Sequence, residues 1–204
     1  MKKGLFITFE GADGCGKTTQ QLKAAEYLDE KGYDVIVTRE PGEKGLGEKI
    51  REILLNYDGE VSDKCESFLF LADRAQHVDI MIKPAIESGK IILCDRYTDS
   101  TAAYQGYGRQ QNLDRINMLN DIATGCLKPD LTIVFDIDVE TSMKRVGSEK
   151  DRLESAGIEF HNRVRNGYLE LAKQEPNRIK VIDASKSIEE IHEEVKKVID
   201  SCLS

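Results

Sequence analysis

The sequence has no tryptophan and no apolar run approaching the roughly 18 residues that a membrane span needs. Its first residues, Met1-Lys2-Lys3, are basic, but the apolar stretch behind them reaches Glu10 almost at once, too short for the core of a signal peptide. Cysteine is sparse and scattered. Cys15, Cys65, Cys94, Cys126 and Cys202 form an odd-numbered set without a C-x-x-C spacing, which speaks against a disulfide framework or zinc site and for reduced, mostly buried thiols. Neither an internal repeat nor a Gly/Ser/Pro-rich linker divides the chain. Positive charge is in deficit, with a formal net charge of −8, and this argues against broad binding to nucleic acid or a membrane surface. What remains is a cytoplasmic protein. Its 204 residues are most simply one domain, 1–204. A chain of that size can bury roughly 70% of its unfolded surface.

Five short apolar runs predict strands at Leu5–Phe9, Val35–Thr38, Ile91–Cys94, Leu131–Ile137 and Lys180–Ile182. They are near-continuous in Val, Ile, Leu and Phe, the pattern of strands covered on both faces, as in parallel sheets. Between them, helical spacing predicts Thr18–Lys31, stopped by Gly32, one or two helices in Asp63–Ser88, then Asp114–Thr124 and Ile188–Cys202. Strands alternating with helices give an α/β fold with a parallel sheet, helices on both faces and ligands beyond the carboxyl ends of the strands.

The first such end carries Gly11-Ala12-Asp13-Gly14-Cys15-Gly16-Lys17-Thr18, followed by Thr19. It matches G-x-x-x-x-G-K-[ST], the loop that cradles phosphates. The glycines let backbone amides turn toward phosphate oxygens. The helix that opens near Lys17 points its positive end at the same anion. Lys17 reaches the outer phosphates, and the Thr18 hydroxyl can hold Mg²⁺. Asp13 places a negative charge beside those phosphates. It reads either as a turn-former or as a contact to Mg²⁺, its waters or a second substrate's hydroxyl, and the cost of the charge favours the latter.

Two further strand ends carry "TREPG" (Thr38 to Gly42) and "ILCDRYTDSTAAYQG" (Ile92 to Gly106). They put Arg39, Asp95 and Arg96 at the ligand edge, with Asp95 placed like the magnesium-orienting acid of phosphate-loop enzymes. Arg74 sits in "FLFLADRAQH", four residues after Phe70 and so on the same helix face. Arginines clustered near a phosphate loop suit a second phosphorylated ligand. The guanine-reading N-K-x-D is missing, which removes the basis for a GTP switch, and a plain ATPase has no use for such arginines.

With these stretches, "PDLTIVFDI" and "DRLE....FHNRVRNGYLELA", nearly the whole chain resembles the bacterial thymidylate kinases, phosphate-loop nucleoside monophosphate kinases. The resemblance implies a three-layer phosphate-loop fold with a five-stranded parallel sheet flanked by helices. It implies transfer of the γ-phosphoryl group of ATP to dTMP, forming dTDP on the way to dTTP. The alternative is a kinase for another nucleoside monophosphate or a deoxynucleoside. By resemblance, Arg96 and Arg39 meet the acceptor phosphate, Arg74 the nucleotide and its base, and Phe70 stacks on thymine. Thr101, Tyr104 and Gln105 match positions around base and sugar, and Tyr168 one near the nucleotide. Asp13 matches a residue near the sugar hydroxyl and the metal. ATP is the co-substrate, Mg²⁺ the cofactor, with Thr18, Asp95 and Asp13 as its residues, and the assembly a homodimer. Gly14 stands where some members carry a basic residue, so the transferring phosphate is expected to be met from a mobile lid at about 144–157, by Arg152 first and Arg145 second, with Lys150 beside them. The family's usual "TREPGGT" is broken here by Glu43-Lys44.

Overall fold

The computed structural model describes residues 4–42, 44–146 and 157–203. Five parallel strands, β1 (Leu5–Gly11), β2 (Val35–Arg39), β3 (Ile91–Asp95), β4 (Leu131–Asp136) and β5 (Ile179–Asp183), pair in the order β2-β3-β1-β4-β5. The expected fold class is therefore the observed one. Four strands run further at the carboxyl end than the apolar runs suggested: β1 takes in Glu10 and Gly11, β2 takes in Arg39, β3 takes in Asp95 and β5 takes in Asp183. Arg39 and Asp95 are partners in the β2–β3 register, and Asp95 is also the partner of Phe9 in β1. Backbone pairing thus fixes the ligand edge at Arg39 and Asp95.

Side chains alternate across the sheet. Ile7, Phe9, Leu93, Ile133 and Phe135 face one layer, formed by α1 (Lys17–Glu30) and α9 (Ile188–Leu203) through Ala24, Leu28, Ile191, Val195 and Ile199. On the other face, Phe6, Ile92 and Cys94 pack on Val78, Ile82 and Tyr97. Beside them Val134 packs on Ala103, Phe160, Val164 and Tyr168. That second layer contains α3 (Asp63–His77), which continues as a π-helical turn (Val78–Ile82) into a short α4 (Lys83–Glu87). It also contains α5 (Thr98–Thr101), running into a second π-helical stretch (Ala102–Gly108), then α6 (Leu113–Thr124) and α8 (Ile158–Gln174). A helix α7 (Val139–Val146) follows β4.

The helix α2 (Gly45–Asn56) was not anticipated from the sequence. Two glycines in its first turn weaken the signal, since glycine disfavours a helix interior. Gly47 has a reason to be there: a Cβ on it would stand 2.7 Å from Asp73 Oδ1 and 3.0 Å from Gly42 Cα. The thiols also depart from expectation. Cys15 and Cys94 are buried and Cys202 partly so, but Cys65 and Cys126 are exposed.

Candidate active site

The phosphate loop leaves β1 at Gly11 and enters α1 at Lys17 through Gly16, whose φ of 93° is left-handed. No acid lies in the first turn of α1, so its amide end stays available to an anion. Lys17 Nζ donates to Ala12 O at 2.9 Å and lies 4.0 Å from Asp13 Oδ1. Ser142 of α7 donates to the Asp13 carbonyl, and Cys15 packs in the core beneath the loop. Around the loop opens a cleft of about 650 Å³. Its lining includes Gly14, Lys17, Thr18, Thr19, Asp95 and Arg145.

A second cleft, of about 760 Å³, lies over α3 and the second π-helical stretch. Phe70, Arg74, Thr101, Tyr104 and Gln105, which the resemblance put around the nucleotide, line it. Arg51, Leu55, Glu40, Pro41 and Ser100 line it too, and these the sequence did not single out. Arg51 comes from the unanticipated α2 and donates to Pro41 O at 3.1 Å. Three residues line both clefts: Asp13, Arg39 and Arg96. They mark the place where a group held in one cleft meets a group held in the other.

Arg96 follows β3 with a φ of 72°, a left-handed backbone that non-glycine residues seldom adopt. Its Nη2 donates to Asp13 Oδ1 at 2.5 Å and to Tyr104 Oη at 3.2 Å, and the guanidinium sits 4.9 Å from the Tyr104 ring centre. Tyr104 Oη in turn donates to Asp13 Oδ2 at 3.2 Å. Burial opposes the Asp13 charge, but Arg96 and Lys17 outweigh it and hold the carboxyl well below the usual carboxylate range. Asp13 is thus an anion throughout the working pH range, able to accept hydrogen bonds only.

Arg39 Nη2 lies 3.7 Å from Asp95 Oδ2, as their register requires. Thr18 Oγ1 donates to the same oxygen at 3.2 Å. Asp95 Oδ1 is buried without a hydrogen-bond partner among the described residues, an arrangement that is costly unless something else satisfies it. A hydroxyl and carboxylate oxygens at the mouth of a phosphate loop are the hard oxygen donors that Mg²⁺ takes. Thr18 and Asp95 fit that ion, while both Asp13 oxygens are engaged by Arg96 and Tyr104.

Arg74 is fully buried and tightly used. It donates to Glu40 Oε2 (2.8 Å), Thr101 Oγ1 (2.7 Å), Asn120 Oδ1 (2.8 Å) and Tyr97 O (2.9 Å). It is therefore a hub joining α3, α6 and the "TREPG" loop, placed at the cleft wall. Glu40, which could have formed a surface pair with Arg39, is instead buried between Arg74 and His77. Glu40, His77 and Cys94 come close enough together to suggest a metal site. Their atoms, however, are engaged with Arg74, Thr38 and the Arg96 carbonyl, so the cluster works as a scaffold under the cleft. Gln105 Nε2 donates to the buried Glu66 at 2.9 Å, which leaves Gln105 braced at the cleft wall. Tyr168 lies behind the cleft, 2.9 Å from Ser100 Oγ. Arg145 donates to Ala184 O at 3.4 Å beside the loop cleft. Lys150, Arg152 and most of the expected lid, 147–156, lie outside the described residues, as does Glu43.

A family model described as thymidylate kinase matches residues 9–195 of this chain. The thymidylate kinase of Maridesulfovibrio salexigens is 48% identical over 207 aligned residues, covering 96% of this chain and 95% of that one. That of an Exiguobacterium species is 50% identical over 195, covering 94% and 92%. Among solved structures, the crystal structure of thymidylate kinase from Ehrlichia chaffeensis matches with a TM-score of 0.81 at 40% identity, covering 97% of this chain and 98% of that one.

Proposed function

The chain belongs to the thymidylate kinase family, and on that premise we propose that it transfers the γ-phosphoryl group of ATP to dTMP, giving dTDP and ADP. The observation that carries this reading is the junction of the two clefts at Asp13, Arg39 and Arg96. ATP occupies the loop cleft, with its phosphates on the amides of 11–16, Lys17 and the start of α1. The nucleotide monophosphate occupies the other cleft, with its base over Phe70 beside Arg74 and Gln105. Its phosphate then meets Arg39 and Arg96.

An oxygen of the dTMP phosphate attacks the γ-phosphorus, and the bond to the bridging oxygen of ADP breaks. The attacking oxygen is already anionic, so no strong base is needed. Phosphoryl transfer is governed by positioning and charge neutralisation. Arg39, Arg96 and Lys17 supply the positive charge, and Asp13 orients Arg96 and accepts from a sugar hydroxyl. Mg²⁺, held by Thr18 and Asp95, would supply further neutralisation of the phosphates. Arg145 and, from the lid, Arg152 complete the charge around the transferring group.

The reading extends to a single domain over 1–204, a cytoplasmic location and a homodimer. In support of the dimer, α3 and α6 pack together and expose Phe68 (58%), Met118 (56%) and Ile122 (71%). Exposed apolar side chains on two packed helices support a helix-packed interface. No helix of the described residues is long and apolar enough to cross a membrane. The test of the reaction is a coupled ADP-release assay with ATP, Mg²⁺ and, separately, dTMP, dUMP, dCMP, dGMP, UMP and thymidine. Turnover with dTMP well ahead of the rest is expected. ADP release that needs no acceptor would overturn the reading.

A further inference from the structure

We propose that Glu10 is a positioning residue for Arg96: from β1 its carboxylate fixes both the backbone turn and the hydrogen-bond direction that aim the Arg96 guanidinium at the junction of the two clefts. The inference rests on the reading of Arg96 as a residue of the acceptor phosphate.

Glu10 is wholly buried, on the same sheet face as Phe6 and Thr8, one residue before the loop glycine. Its Oε1 accepts from the Tyr97 amide at 2.7 Å. The amide of Arg96 itself donates to Phe9 O at 3.0 Å. Consecutive residues of β1 therefore take the two amides that flank the Arg96 α-carbon. The left-handed φ of 72° between them is held from both sides. A conformation of this kind persists only where its surroundings impose it.

The second carboxylate oxygen acts on the side chain. Oε2 accepts from Ser100 Oγ at 2.5 Å and from Tyr168 Oη at 2.9 Å. Arg96 Nη1 reaches the same two hydroxyls, at 3.3 Å and 3.5 Å. The hydroxyls lie 2.9 Å apart, so a proton not spent on the carboxylate is spent between them. A carboxylate has no proton to give. Above about pH 7, where Glu10 is ionised, the hydroxyl protons therefore run toward it, and the lone pairs turn toward Arg96, which can only donate. Glutamine has the same shape but places an N–H where Oε2 stood. That donor would reverse the chain and turn hydroxyl protons against the guanidinium.

The arrangement carries a cost that points to function. Burial, and then the charge of Asp99, push the Glu10 carboxyl up to about 7. The groups facing it are Asp99, Arg96 and Ser100 from the segment after β3, Tyr168 from α8 and Cys94 from β3. Asp99 is itself paired with Arg178 at 2.7 Å. Because the folded value lies above the usual 4.5 of a glutamate, the stability linked to this group is fully present below about pH 4.5 and is lost as pH rises through about 7. An amide at this position would carry no such penalty.

The test is Glu10→Gln, assayed with ATP, Mg²⁺ and dTMP at pH 8 beside thermal unfolding at the same pH. Expected are a kcat lower by on the order of 10- to 100-fold, the scale of a misaligned reacting group, an unchanged KM for ATP and a melting temperature no lower than wild type. Wild-type kcat would overturn the proposal. So would a kcat loss matched by a fall in melting temperature, because Glu10 would then be a structural prop. Ser100→Ala carries the test if Glu10→Gln does not fold. It cuts one of the two hydroxyl links to the guanidinium and keeps the Tyr97 and Tyr168 bonds, so a kcat loss smaller than that of Arg96→Ala is expected, and wild-type kcat overturns the part given to Ser100. Absence of dTMP-dependent turnover in the wild type would be a different result, sinking the reaction itself.

Discussion

On the face of the sheet covered by α1 and α9, Ile7, Phe9, Leu93, Ile133 and Phe135 meet Leu28, Val195 and Ile199 in a continuous apolar layer. On the opposite face β1 carries Thr8 and Glu10, and both are equally buried. Thr8 shares a 2.7 Å hydrogen bond with Thr132, which donates to Asp99, while Glu10 joins Ser100 and Tyr168. A short distance away Arg74 ties Glu40 to Thr101 and Asn120. One face is held by area removed from water. The other is threaded by polar chains that stabilise only when every member is satisfied. The substrate clefts open on the second face and at the shared ligand edge, because polar groups must already be in place where charge will move. Substitutions should therefore separate into those that cost stability and those that cost catalysis.

The largest effect is expected from Arg96→Ala. It should lower transfer on the order of 10³-fold, as for other arginines at transferring phosphates, while ATP binding persists by equilibrium titration. Turnover like wild type would remove Arg96 from its role. On the apolar face Leu28→Ala should cost about 2–5 kcal/mol in urea unfolding, the range for a buried leucine, with kcat per folded molecule unchanged. A specific loss of kcat there would break the division of labour. Phe70→Ala should raise the KM for dTMP about tenfold, in keeping with base-stacking energies of roughly 1–3 kcal/mol, and leave the KM for ATP alone. Equal effects on both substrates would misplace the base.

The smallest effect concerns Asp73, which accepts from the Gly42 amide. Burial, and then Glu40, raise its carboxyl from 3.8 to about 6. The linked stability is present below about pH 3.8 and lost as pH rises through about 6. Asp73→Asn should therefore compare better with wild type at pH 8 than at pH 4 in thermal unfolding. The reverse order would contradict the sign of the shift.

Much of the loop and strand chemistry was legible because it is local. The spacing from Gly11 to Thr18 specifies a turn and a helix start without help from elsewhere in the chain. Asp95 and Arg39 could be placed because each ends an apolar run, although their pairing became visible only with the β2–β3 register. Arg51 was not legible, since its helix begins with two glycines whose reasons, a positive φ at Gly45 and the contact of Gly47 with Asp73, show only in the fold. Glu10 and Ser100 were also missed. A glutamate at the end of a strand gives no hint that it is fully buried, and its partners lie 87 to 158 residues away in sequence. Arg74 was singled out as a ligand residue, yet the acceptors that fill its donors come from three separate segments. Sequence spacing identifies a site where one element makes it and falls short where several elements converge.

The meeting of the two clefts at Asp13, Arg39 and Arg96 also bears on bivalent ligands. A molecule carrying one nucleoside for each cleft makes its second binding event intramolecular, at a high effective concentration if the tether fits. Two guanidiniums and one carboxylate line the bridge, so the tether would cross a zone of net positive charge. Anionic linkers such as oligophosphates or their sulfonate analogues would be drawn into it, and a neutral hydrocarbon chain would leave the arginines unpaired. The geometry that brings two substrates together for one reaction thus also sets the charge of any compound able to occupy both places at once.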